Sequence, residues 1–173
     1  MKILIAYTSK NGVAKKCAEM LASYLPKTAE AEVVDLNLNA SMPILDGYDA
    51  VVLGGSIRMA KFSKKLRVFM KRNKNALSTL PCAVFICCGL PHRYEEYAEI
   101  ALPRKFAPSL GVHHFGGELK PERVKGFDKL AIKSLRASIT QADFENSNNL
   151  DLSLPEIIPE NIKLLADKLK KLK

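Results

Sequence analysis

The sequence has no C-x-x-C pair among its four cysteines, Cys17, Cys82, Cys87 and Cys88, and no histidine cluster that would complete a ligand set. A zinc site is therefore not expected, because structural sites draw on closely spaced Cys and His ligands. A disulfide framework is not expected in a core-forming chain without a secretory leader, and the thiols should be buried as small apolar groups. Long apolar runs are missing as well. The opening MKILIAY is too short for a secretory h-region, and no run approaches the roughly 20 apolar residues that cross a bilayer. The expectation is a soluble, cytoplasmic chain. Repeats, linkers and compositional breaks are absent, so residues 1–173 are expected to form one domain around one core.

Acidic charge is scarce. Lys+Arg number 27 against 18 Asp+Glu, a net charge of +9. Such a balance attracts anionic ligands, acidic partners or an anionic membrane surface. The excess is spread over Lys15-Lys16, Lys64-Lys65, Lys71-Arg72-Asn73-Lys74 and Lys168 to Lys173, each on the wet face of an expected helix. Peripheral membrane contact through this surface stays open, whereas a nucleic-acid role lacks any accompanying motif.

What is present is strand, turn and helix in alternation. Lys2 to Tyr7 is a short β-rich run, and Gly12 to Leu25 carries Val13, Cys17, Met20, Leu21 and Leu25 at helical spacing. Strands are expected at Ala31 to Leu36, Tyr48 to Gly55, Cys82 to Cys88 and Val112 to Leu119. The continuous apolar runs of Tyr48 to Gly55 and Cys82 to Cys88 suit strands covered on both faces. Ser63 is the expected cap of a helix from Lys64 to Leu77 that turns Leu66, Phe69, Met70 and Leu77 inward. A weaker helix is expected from Tyr94 to Phe106 and a further one from Pro121 or Glu122 to Thr140, followed by a polar loop, QADFENSNNLDLS. Pro159 opens the last helix, Glu160 to Leu172. This order predicts a five-stranded, doubly wound parallel sheet with helices on both faces and its ligand site at the carboxyl ends of the strands.

Three loops leave that edge. The first, Thr8-Ser9-Lys10-Asn11-Gly12-Val13-Ala14, sets hydroxyl, amide and glycine residues before a helix N-terminus, where free N–H groups and the helix dipole favour an anion. It matches neither G-x-x-x-x-G-K-[ST] nor G-x-G-x-x-G, and a simple helix cap is the alternative. The second, Gly54-Gly55-Ser56-Ile57-Arg58-Met59-Ala60-Lys61-Phe62, and the third, Cys87-Cys88-Gly89-Leu90-Pro91-His92-Arg93-Tyr94, combine tight-turn residues with groups able to border a flat ring: Ile57, Met59, Leu90, Tyr94 and Tyr97.

These residues resemble the flavodoxin family, whose phosphate loop has the form [ST]-x-x-G-x-[ST] after the first strand. Thr8, Ser9, Asn11, Gly12 and Val13 occupy matching places, and Ala14 stands where the family has a hydroxyl. Gly54-Gly55-Ser56 and Cys87-Cys88-Gly89, with Tyr94 beyond, resemble its second and third flavin loops. Within the family, GGSIRMAKFSKKLRVFMKRN and FDKLAIKSL are most similar to the menaquinone-dependent protoporphyrinogen oxidases and their relatives. Two departures from that subgroup are Met59 in place of an aromatic and a reduced segment, Leu119-Lys120-Pro121-Glu122-Arg123, in place of a long insertion.

The resemblance implies a flavodoxin-like α/β sandwich holding FMN non-covalently. It places the cofactor against Thr8 to Ala14, Ser56, Ile57, Arg58, Met59, Cys88, Gly89, Leu90, His92 and Tyr94. Arg58 either favours reduced flavin by its charge or sits on a solvated loop, and His92 either donates to the ring or is polar surface. His113 and His114 should point to opposite sheet faces, one of them exposed. Tyr94 and Tyr97 either stack on the ring or pack the helix. Two function classes follow. One is an oxidoreductase acting on a quinone, a porphyrinogen or a similar small molecule. The other is an electron carrier docking on redox proteins.

Overall fold

Strands with no polar alternation need cover on both faces, and the chain provides it with helices on either side of one sheet. The computed structural model describes residues 1–39, 41–57, 61–88, 94–104, 106–117 and 156–172. Strands β1 (Lys2–Thr8), β2 (Glu30–Asp35), β3 (Ala50–Ser56), β4 (Cys82–Cys87) and β5 (Gly111–His114) run parallel in the order β2-β1-β3-β4-β5. The winding therefore reverses between β1 and β3, as the doubly wound expectation requires. Helices α1 (Val13–Tyr24) and α5 (Pro159–Lys170) close one face over Ile3, Ile5, Phe85 and Phe115. Helices α2 (Lys64–Arg72), α3 (Lys74–Thr79) and α4 (Tyr94–Ala101) flank the other, where Leu4, Leu53, Leu66, Phe69 and Ile86 pack. Each large side chain withdrawn from water in these two cores contributes about 1.5–3 kcal/mol.

All four cysteines are buried and free. Cys17 and Cys87 meet across the first core with sulfurs 3.7 Å apart. Their contact and burial hold the Cys87 thiol well above its ordinary value, and burial pushes Cys82 up to about 12. The Cys82 and Cys87 thiols stay protonated and serve as packing groups.

Most element ends fall within two residues of expectation, and three differ more. The helix expected over 64–77 is broken at Asn73 (φ −100°, ψ 16°), whose side-chain N–H donates to the Phe69 carbonyl at 3.0 Å. Such local bonding competes with the next helical turn. Leu66, Phe69, Met70 and Leu77 are nonetheless all buried. Helix α4 stops at Ala101, ahead of Pro103, because proline pushes its predecessor out of the helical region.

Strand β5 ends at His114 rather than running on to Leu119. Beyond it Gly116 adopts φ 78° and bridges Ile157, in a place where a Cβ would overlap the Glu156 carbonyl. Gly117 N donates to Glu156 O at 3.1 Å and Ile158 N to Phe115 O at 3.0 Å, so the chain on either side of residues 118–155 meets directly. The helix expected from Pro121 or Glu122 to Thr140, the polar loop after it and the segment over 119–123 lie outside the described residues. Among the described residues, no helix is long and apolar enough to cross a membrane.

Candidate functional site

The strand register sets Thr8 beside Gly55, Gly55 beside Ile86 and Ile86 beside His114, so one row of residues crosses the sheet at its carboxyl edge. Thr8 ends the row on β1 and is only 3% exposed, a hydroxyl sunk into an apolar sheet. Ser63 Oγ donates to Thr8 Oγ1 at 3.1 Å and caps α2 by accepting from Leu66 N at 3.3 Å. A Cβ on Gly55 would stand 2.9 Å from Thr8 Oγ1 and 3.0 Å from its carbonyl, so glycine is what leaves room for this hydroxyl. Thr8 and Ser63 line a cleft of about 380 Å³. Ser9, Lys10, Asn37, Ser56, Lys61 and Phe62 form the rest of its wall.

The turn between β1 and α1 is tied down from both ends. Gly12 N donates to Ser9 Oγ at 3.1 Å, and Asn37 Nδ2 donates to Ser9 O at 3.0 Å. Asn37 is held in turn by Asp35 Oδ1, which accepts from its backbone N–H at 2.8 Å, and by Lys65 Nζ, which donates to its carbonyl at 2.8 Å. Gly12 caps α1 at φ 85°, with nothing within 4 Å of the place a Cβ would take. The helix start then opens on empty space. Val13 and Ala14 bury their side chains in the core, so only their backbone groups are left to meet a ligand. The first turn of α1 holds no acidic residue, and Lys15 and Lys16 follow. Cations oppose the helix dipole there, so a helix start built this way is improved by an anion from outside.

At the far end of the row, Cys88 Sγ lies 3.3 Å from His114 Nε2, and the Tyr94 ring stacks on His114 with centroids 5.4 Å apart. Asn161 Nδ2 donates to His114 O at 2.7 Å. Tyr94 and Tyr97 both pack against the second core, which favours the helix-packing alternative. The expectation that one of the paired histidines is exposed is corrected. His114 is buried and His113 is half-buried, with Nε2 3.0 Å from Leu110 O. The apolar cover supplied by α4 and α5 is the physical reason.

Burial lowers both imidazole values, against the raising effect of their backbone bonds, and Lys168 lowers His113 further. A histidine whose folded value is depressed leaves the unfolded chain to take up protons first. Its contribution is complete above the unfolded value of about 6.5 and fades as pH falls below it toward the folded values. Melting temperature should therefore decline as pH drops from 6.5 to 5.5, with a shallower decline in His114→Gln. A wild-type melting temperature that stays level across that window would contradict this.

Of the expected site residues, Thr8, Ser9, Lys10 and Ser56 come together in the cleft. Asn11 and Gly12 form the turn beside it, and Ile57 ties the second loop to β4 by donating its N–H to Cys87 O at 3.0 Å. Arg58, Met59, Gly89, Leu90 and His92 lie outside the described residues. Two cleft residues went unforeseen. Ser63 is legible as a helix cap only, and Asn37 is placed by β2, whose position beside β1 appears only in three dimensions. The signal for Asn37 was its place just past the end of β2, since every strand neighbouring β1 delivers its next residues to this edge.

A flavodoxin domain model matches residues 4–147 of the chain. Protoporphyrinogen IX dehydrogenase [quinone] of Escherichia coli (strain K12) is 30% identical over 86 residues, covering 49% of this chain and 47% of that protein. The chain thus spans about half the length of the curated relatives it matches. Among solved structures, an oxidoreductase from Corynebacterium diphtheriae is similar over 99% of this chain and 96% of its own, at 10% identity and a TM-score of 0.50. Rubredoxin oxygen:oxidoreductase from the anaerobe Desulfovibrio gigas is similar over 82% of this chain and 35% of its own, at 14% identity and a TM-score of 0.50. At these identities the structural likeness is one of fold.

Proposed function

Since the chain belongs to the flavodoxin domain family, we propose that it is an oxidoreductase that holds FMN non-covalently at the carboxyl edge of the sheet and acts on a small organic molecule of the quinone or porphyrinogen kind. The observation that carries this reading is the cleft over Thr8. A buried hydroxyl, a glycine that leaves it room and a helix start without acidic residues are joined there by Lys10 and Lys61. Those groups fit a phosphate: hydroxyls and backbone N–H groups donate, and the lysines balance its charge.

Thr8, Ser9, Lys10, Asn11 and Gly12, with the backbone of Val13 and Ala14, hold the phosphate. Ser56 and Ile57 border the ring from the second loop and Cys88 from the third; we assign Arg58, Met59, Gly89, Leu90 and His92, outside the described residues, to the same border, while Tyr94 packs α4 onto the sheet. Bound FMN supplies electron exchange with the substrate, and the protein supplies binding, orientation and local charge. The buried strands below the cleft exclude water from one side of it, and Ser63 and Asn37 hold the phosphate turn in shape. The E. coli relative, a quinone-linked dehydrogenase of protoporphyrinogen IX, supports a substrate of that class.

The test is a flavin titration followed by turnover. Purified protein should quench FMN fluorescence at micromolar concentration and bind riboflavin, which lacks the phosphate, at least about tenfold more weakly. The loaded protein should oxidise protoporphyrinogen faster when a menaquinone analogue is present than with oxygen alone. Absence of FMN quenching would overturn the reading. Binding of FMN without porphyrinogen or quinone turnover would leave an electron carrier.

A further inference from the structure

Every charged side chain between Asp49 and Glu95 is a lysine or an arginine. The fold gathers much of this segment onto one surface. Lys64, Lys65, Arg67, Lys71 and Arg72 of α2 and Lys74 at the start of α3 are all exposed. Among the described residues none of them forms an ion pair, and the lysines that do pair, such as Lys2, Lys15 and Lys170, lie on other elements. The segment after β2 runs alongside, fastened by Lys65 to Asn37 and by Arg72 Nη1 at 4.0 Å from Met42 Sδ. It carries Leu38 and Ile44, 84% and 75% exposed. This face adjoins the cleft, because Ser63 and Asn37 belong to both.

We propose that the outer face of α2, with Leu38 and Ile44 at its margin, is a docking surface for an acidic redox protein that exchanges electrons with this chain. The proposal rests on the flavin-dependent reading above and names its protein partner. Unpaired cations of one sign around a few apolar side chains are the pattern of a transient, electrostatically steered interface. The cost of leaving these cations unneutralised falls when carboxylates arrive opposite them. An anionic bilayer fits less well. The apolar side of α2 (Leu66, Phe69 and Met70) is consumed by the core, which leaves no helix face to insert.

The full chain, with and without FMN, is titrated with an acidic [2Fe–2S] ferredoxin at low and at high salt. The Lys64→Glu/Lys71→Glu/Lys74→Glu variant removes cations outside the cleft, and Lys27→Glu/Lys163→Glu/Lys171→Glu changes net charge equally elsewhere. Circular dichroism and melting confirm that each is folded, and a triple glutamine version replaces any that is not. Binding should weaken with salt, fall at least about tenfold in the α2 variant and stay within about twofold in the control. Leu38→Ser should weaken it further at both salts. Equal loss in both variants would reduce the effect to net charge and overturn the proposal. So would absence of ferredoxin binding, or tighter α2-dependent binding to phosphatidylglycerol vesicles. Retained FMN quenching in the same samples shows that a docking failure is not a failure of the flavin site.

Discussion

A Gly54→Ala substitution is expected to destabilise the protein by about 2–3 kcal/mol, lowering its melting temperature by roughly 5–10 °C for a domain of this size. Gly54 lies in β3 directly beside Phe85 of β4, and a Cβ there would overlap the Phe85 ring. That ring cannot yield. It is fully buried and stacks on Phe115 with centroids 4.8 Å apart and planes 11° from parallel. Alanine would ordinarily improve a strand by limiting the unfolded chain, by about 0.5–1 kcal/mol. The overlap is larger, so the net sign is destabilising. The measurement is thermal or denaturant unfolding of Gly54→Ala, Phe85→Ala and the pair. Truncating the ring removes the obstacle, so the double variant should lose less than the sum of the two singles. Additive losses would show that Phe85 is not what forbids a side chain at position 54.

The same glycine pair shows why the fold was legible in the sequence and the cleft only in part. ILIAY, AVVLGG and CAVFIC are unbroken apolar runs because each is a strand covered on both faces, and burial of that kind leaves its mark in every residue. Ser63 and Pro159 were legible for a related reason. A helix start needs a local acceptor or a fixed φ, and both lie within the segment itself. The break at Asn73 was not visible, because asparagine suits many positions and only its bond to Phe69 stops the turn. The early end of β5 depends on Ile157, far along the chain, and no local pattern announces such a partner.

The site divides along the same line. Thr8, Ser9, Asn11 and Gly12 are neighbours in sequence, so their chemistry was readable as a motif. Asn37 and Ser63 reach the cleft from β2 and α2, brought there by strand order and by the cap of a helix. Gly55 was readable as a turn residue, yet its part in the site is the space it leaves around the Thr8 hydroxyl.

Gly12→Asp is expected to weaken FMN binding at least tenfold, or ~1.4 kcal/mol, without a matching loss of stability in the flavin-free protein. Two effects have to be separated. Gly12 sits at φ 85°, where any side chain is strained, although Asp and Asn tolerate the left-handed region better than most. That strain is offset in the free protein, since a carboxylate at the first turn of α1 faces the positive end of the helix dipole and two lysines. Toward a phosphate the same carboxylate is repulsive. Two unit charges at roughly 6 Å in an effective dielectric of about 40 repel by ~1.4 kcal/mol, and the phosphate carries more than one. Gly12→Asn supplies the control, with the same shape and no charge. The expected order of FMN affinity, read by fluorescence quenching, is wild type, then Gly12→Asn slightly below it, then Gly12→Asp far below both. Riboflavin affinity should differ little among the three. Added salt should narrow the gap between Asp and Asn, because screening acts on charge and leaves backbone strain untouched. Equal losses for Asp and Asn, with no salt dependence, would mean that the turn governs affinity through shape alone and that the phosphate does not lie against Gly12.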